Sequence, residues 1–118
     1  MLSFHSHLKV FLATDPCDLR ASFNGLWAAA QNKLGEDPKH GALFLFTNRR
    51  HNRIKILFFD GTGVIILMKK LEKGTYRWPQ SADEPKPKLS LAPAALQLLL
   101  DGVELKDAGR RAWYEAPK

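Results

Sequence analysis

Leu8 to Ala13 reads Leu-Lys-Val-Phe-Leu-Ala, a short run of strand formers that stops at Thr14-Asp15-Pro16, a turn and helix-start signal. Beyond it the apolar residues fall at Leu19, Phe23, Leu26, Trp27, Ala30 and Leu34, which trace one helical stripe, and Gly35 supplies the stop. Either Asp15, with Pro16 at the first helical position, or Asp18 can cap the start, and the pattern does not choose between them. Gly25 lies inside this helix, where it costs about 1 kcal/mol relative to alanine. A close packing contact is the expected offset.

After the polar connection Glu36 to Gly41 the period changes from helical to alternating. Ala42 to Thr47 and Arg53 to Phe59 are strand-like, separated by Asn48-Arg49-Arg50-His51-Asn52, a length suited to a hairpin turn. Asp60-Gly61-Thr62-Gly63 has the residues that reach positive φ, so Val64 to Lys70 makes a second hairpin. Gly74 to Trp78 is expected to add a short strand ended by Pro79.

Residues 80–88, with Asp83-Glu84-Pro85-Lys86-Pro87-Lys88, read as a proline-rich linker without a packable face. Ser90 then caps a helix carrying Leu91, Ala94, Ala95, Leu98 and Leu99, with Pro93 in its first turn and Gly102 at its end. Leu96 and Leu100 widen its apolar face, so it docks on its own sheet or on another protein. The expectation is one compact α+β domain over residues 1–106. It has a small antiparallel sheet, a meander of hairpins, with one helix after the first strand and a C-terminal helix. Residues 107–118 form a flexible tail.

Charge changes this picture. The 118 residues carry a net charge of +6, and all of the excess lies between Thr47 and Trp78. There Arg49, Arg50, Arg53, Lys55, Lys69, Lys70, Lys73 and Arg77 face only Asp60 and Glu72. Charge so concentrated in strand-and-turn sequence makes a local positive field that draws polyanions such as nucleic acid. Alternation puts Arg53 and Lys55 on one face of their strand and Ile54, Ile56 and Phe58 on the other. Arg49, Arg50, Arg53, Lys55, Lys69, Lys70 and Arg77 are therefore the candidate nucleic-acid contacts, on a hairpin like the two-stranded ribbons that enter a DNA groove. A solvated tip that only aids solubility is the competing reading. Tyr76 and Trp78, with Phe58 and Phe59, offer rings for base stacking, although core packing explains them more simply.

The inventory for catalysis is thin. Asp15, Asp18, Asp37 and Asp60 stand at turns and helix starts, where capping accounts for them, and His5 and His7 have no further ligand at metal-binding spacing. Asp60-Gly61-Thr62-Gly63 lacks the lysine and following helix of a phosphate loop. The single cysteine, Cys17, reads as a small packed residue in a reducing compartment. No catalytic residue, metal or cofactor is expected. With no secretory signal and no apolar run long enough for a bilayer, the expectation is a cytoplasmic protein without a membrane or small-molecule partner.

An ordered series of pieces carries a family resemblance: Val10 to Arg20 with Phe23-Asn24-Gly25-Leu26, Phe44-Leu45-Phe46, Asn48-Arg49-Arg50, Arg53 to Leu57 with Asp60-Gly61, Lys69 to Trp78, and Leu96 to Gly102. Together they resemble the TnpB-type accessory protein of the insertion-sequence-sixty-six family of bacterial transposable elements. The resemblance implies a small bacterial protein encoded beside a DDE transposase and needed for efficient transposition. It supplies no catalytic residue. Its matched positions are Asp18, Arg20, Gly25, Arg49, Arg50, Lys55, Asp60, Gly61, Lys69 and Trp78. The sequence departs from the pattern at Ala21, where a basic residue is common, at Asn24, where an acidic one is common, and at Phe58-Phe59-Asp60, where tryptophan is usual. The expected role is DNA binding through the basic hairpin. The alternative is an adaptor that grips the transposase or the element's other accessory protein through Leu96, Leu99 and Leu100.

Overall fold

The computed structural model describes residues 8–79 and 86–102. Their elements are β1 (Val10–Ala13), α1 (Phe23–Asn32), a single 3-10 turn (Pro38–His40), β2 (Leu43–Thr47), β3 (Arg53–Phe59), β4 (Val64–Lys70), β5 (Lys88–Leu91) and α2 (Pro93–Leu100). The strands form one five-stranded sheet in the order β4-β3-β2-β1-β5. The expected all-antiparallel meander is corrected to a mixed sheet. α1 carries the chain back along the sheet, so β2 enters beside β1 in parallel, with Val10 opposite Leu43. The two hairpins run antiparallel as read, from Phe44 opposite Leu57 to Phe59 opposite Val64.

β5 is a second correction. Lys88 to Leu91 fell in the expected linker and the start of the last helix, yet they pair antiparallel with β1, Ala13 facing Lys88 and Val10 facing Leu91. The preceding residues are also tied in: Thr14 N–H donates to Pro87 O at 3.1 Å, and Thr14 Oγ1 donates to Lys86 O. Leu91 and Ser90 are thus strand residues, and α2 begins after Ala92 with Pro93 in its first turn. Gly74 to Trp78 forms no strand, although Tyr76 and Trp78 are buried. Residues 107–118, His5 and His7 lie outside the described residues.

Alternation sorts the core into two halves. Val10, Leu12, Leu43, Leu45, Ile54 and Ile56 face one side, where Ala95, Leu96, Leu99 and Leu100 of α2 close over them with Tyr76 and Trp78. Phe44, Phe46 and Leu57 face the other, under Leu19, Leu26, Ala30 and Leu34. α1 crosses from the β3 side to the β5 side: Ala21 O accepts from Lys55 of β3, and Leu34 O from Lys88 of β5 at 2.8 Å. With a helix on each face the inner strands read as continuous apolar runs, and β2 is buried along its whole length.

Local details follow. α1 starts at Phe23 with Ser22 at the cap position, so neither Asp15 nor Asp18 caps it. A Cβ on Gly25 would stand 2.8 Å from the Ala21 Cβ, the close contact expected at that position. Trp78 Nε1 donates to Ala13 O at 2.9 Å, which fixes the 74–78 segment at the end of β1.

Candidate nucleic-acid interface

The strand ends Ala13 and Thr47, the hairpin turn after Thr47 and the last residues of β4 lie at one end of the sheet. The turn is organised by Asn48. Its Oδ1 accepts from Asn52 N at 3.1 Å and Arg53 N at 3.2 Å, while its Nδ2 donates to Asn52 Oδ1 at 2.7 Å. His51 N–H closes the turn onto Asn48 O at 3.1 Å, and His51 takes φ 55°, a left-handed conformation. A second clamp comes from outside: Tyr76 N–H donates to His51 O at 2.6 Å, and the His51 and Trp78 rings stand 6.2 Å apart. Arg49 and Arg50 occupy the two central positions of this fixed turn and are exposed.

Register sorts the other candidates. Arg53 faces Lys70 across β3 and β4, and Lys55 faces Met68, so these side chains share the α1 face. Arg53, Met68 and Lys70 are exposed, and Lys55 is half-buried with its Nζ donating to Ala21 O at 3.2 Å. Lys69 faces Ile54 and belongs to the α2 face. Its Nζ donates to Leu100 O at 2.7 Å, placing a cation at the C-terminal end of α2, where the helix dipole favours it. The expected single basic set is therefore divided. Arg49, Arg50, Arg53, Lys55 and Lys70 come together, while Lys69 serves the other layer. Arg77 is exposed in the 71–79 segment, between the buried Tyr76 and Trp78.

Arg20, which lay outside the expected contact set, stands on the loop that reaches the same end of the sheet. Cys17 N–H bonds Thr47 O at 2.9 Å, which brings the β1–α1 loop beside the tip. Arg20 is itself matched: Nε lies 3.0 Å from Asp18 Oδ1 and Nη2 2.9 Å from Oδ2. Hydrogen bonds from the Arg20 side chain and backbone pull the Asp18 carboxyl down to about 2. The Asp18–Arg20 spacing of two was the available signal. Cys17 is half-buried, and burial pushes its thiol pKa up, against a reactive thiolate.

The adaptor surface is corrected. Leu96 and Leu99 are fully buried and Leu100 is 8% exposed, all packed on the sheet. The helix is apolar because it packs on one face of the sheet together with Tyr76 and Trp78; its outward side carries Ala94, Gln97 and Asp101, with Leu98 partly covered. Among the described residues no group of three or more His, Cys, Asp or Glu side chains is arranged to hold a metal ion, and no helix is long and apolar enough to cross a membrane.

The chain matches the family model described as IS66 Orf2 like protein over residues 8–110. It is 34% identical over 97 residues to the uncharacterized protein y4jC of Sinorhizobium fredii, covering 82% of this chain and 80% of that one. A second protein of the same organism, y4hO, is 31% identical over 104 residues, covering 88% of each chain. No solved structure matches.

Proposed function

The chain belongs to the IS66 Orf2-like family of insertion-sequence proteins, and on that premise we propose that it serves transposition by gripping DNA with the tip of the β2–β3 hairpin. The observation that carries this reading is the joint placement of Arg49 and Arg50 on a doubly clamped turn, with Arg53, Lys55 and Lys70 on one adjoining face. A pre-set turn presents its arginines without first ordering the backbone, so more of the attraction to phosphate survives as affinity. Arg49 and Arg50 reach outward to phosphate or a guanine edge, and Arg53 and Lys70 extend the contact along the ribbon. No step of covalent chemistry is assigned to it. Its partners are the DNA of its element and, through that DNA, the transposase encoded beside it.

The test is an electrophoretic titration of the purified protein against element-end and random duplexes at several salt concentrations. The parent should bind with a steep salt dependence. Reversing Arg49, Arg50 and Arg53 to glutamate should cost at least about a hundredfold in affinity while the thermal midpoint stays close to the parent. Undiminished affinity in the triple variant removes DNA binding from this hairpin.

A further inference from the structure

The sheet has two edges, and they are protected differently. β5 is four residues long, follows Pro87 and leads into Pro93, and its Lys88 is paired with Glu36. Such an edge offers little to a second strand. β4 is seven residues long, contains no proline or glycine, and begins with five apolar residues, Val64 to Met68, of which Met68 is 53% exposed.

Its hydrogen-bonding direction follows from the ladder. Asp60 N–H bonds Gly63 O at one end of the hairpin, and Leu71 N–H bonds Asn52 O beyond the other. Bonded pairs alternate in an antiparallel ladder, so Ile65, Leu67 and Lys69 turn their backbone groups toward β3. Val64, Ile66, Met68 and Lys70 turn theirs outward, and the sheet order places no described strand beyond them.

We propose that this edge is the seam of a homodimer, in which two copies pair their β4 strands antiparallel about a two-fold axis at Leu67. In that register Val64 faces Lys70 of the second copy and Ile66 faces its Met68, so every outward N–H and C=O of the strand finds a partner. Leu67 faces its own symmetry mate. Side chains keep their layers, and Met68 is covered by an isoleucine from the other copy.

A second copy fits better than an arbitrary strand because the edge is self-complementary. Its middle is apolar, Lys69, Lys70 and Lys73 mark one end, and Asp60 marks the other. The antiparallel register sets the lysine end of each strand beside the Asp60 turn of its mate, whereas a parallel one would align like charges. It also sends the two Arg49–Arg50 tips to opposite ends of a ten-stranded sheet, twice the five strands of one copy. The seam takes the backbone of Lys70 and leaves its side chain on the face it shares with Arg53, so pairing of the copies does not depend on DNA.

Sedimentation of the full chain across a concentration series tests it, with two kinds of variant. Met68→Pro removes an outward N–H but no bond to β3, a position an edge strand tolerates. It should leave the far-ultraviolet spectrum unchanged and weaken dimerisation at least about tenfold. In a Cys17→Ser background, Leu67→Cys should form an intermolecular disulfide on mild oxidation, because directly opposed residues in a non-bonded pair come within bridging distance. Met68→Cys should not, since its symmetry mate lies diagonally away. If Met68→Pro fails to fold, the two cysteine variants decide. A parent that stays monomeric at its highest soluble concentration overturns the proposal, as does a folded Met68→Pro protein that dimerises like the parent. Equal crosslinking at positions 67 and 68 also overturns it.

Discussion

The turns at either end of β3 use one construction to opposite electrostatic effect. At the first, the Asn48 carbonyl collects the N–H groups of Asn52 and Arg53. At the second, the Asp60 carboxylate collects those of Thr62 and Gly63 at 2.9 Å each, with the Thr62 hydroxyl at 3.0 Å. An oxygen aimed at successive backbone donors is what fixes a turn, and a neutral amide does this as well as a carboxylate. The difference lies in what the turn then presents. The neutral acceptor leaves the field of Arg49 and Arg50 undiminished, whereas the charged one makes its end of the strand locally negative. Rigidity and charge are thus set separately, and each can be tested separately.

The largest effect should come from removing the organiser of the basic tip. Asn48→Ala strips acceptors from two backbone donors and the partner of Asn52, and should cost about 2 kcal/mol in urea denaturation. DNA affinity should fall as well, although no cation has been removed, because the arginines must then be ordered on binding. Loss of stability with unchanged affinity would show that the clamped turn is irrelevant to recognition.

Next in size is the division between neighbours. Lys69→Gln should lower stability by about 0.5–1 kcal/mol, through loss of the cation at the end of α2, and leave DNA affinity nearly unchanged. Lys70→Gln should do the reverse, weakening DNA binding and making its salt dependence shallower by about one unit while the melting temperature holds. Equal effects from the two would dissolve the assignment of these residues to different layers.

That division follows from the register, which the sequence contained although Lys69 and Lys70 were expected to act as one basic set. Once Asp60 to Gly63 is the loop, Phe59 faces Val64 and Lys69 must face Ile54, on the apolar side of the ribbon. The boundaries of β3 and β4 and the α1 stripe were also readable, because alternation and helical spacing are local signals. β5 was not. Lys-Leu-Ser-Leu has no β-branched residue and sits between prolines, so only pairing with β1, far away in sequence, makes it a strand. The parallel placement of β1 and β2 escaped for the same reason: a strand-helix-strand order was visible, but spatial adjacency was not. The leucines of α2 show a choice that local pattern leaves open: their apolar width called for cover by the sheet or by another protein, and in the fold the second face of the sheet supplies it.

A smaller effect concerns the clamp on the tip. Tyr76 is 2% exposed and its hydroxyl has no hydrogen-bond partner among the described residues, while burial pushes its pKa up to about 12. The folded state therefore holds the proton after an unfolded chain has lost it, and stability should fall as pH rises from about 10 toward 12. Tyr76→Phe keeps the ring and removes the unpaired hydroxyl. It should leave neutral-pH stability unchanged or raise it by about 1 kcal/mol, and should flatten the alkaline decline seen in thermal melts.

The smallest effect is expected at the acidic turn. Three hydrogen bonds from Thr62 and Gly63 hold the Asp60 carboxyl below the usual carboxylate range. Its contribution is present above that range and lost as pH falls through its folded value. Asp60→Asn keeps an acceptor and should slightly reduce the acid sensitivity of the melting temperature. Asp18, which Arg20 holds at about 2, adds to that acid sensitivity.

The late position of β5 and α2 in the chain has a consequence for biosynthesis. When Lys70 leaves the ribosome, four strands and α1 have been made, yet Leu12, Leu45, Ile54 and Ile56 still lack their cover. That cover is translated last. The nascent chain passes through a stage in which one side of the sheet is finished and the other is bare, an exposure that attracts chaperones and favours aggregation. Premature termination before Leu91 would leave this stage permanent, with a basic hairpin present on a sheet that has a helix on one face only.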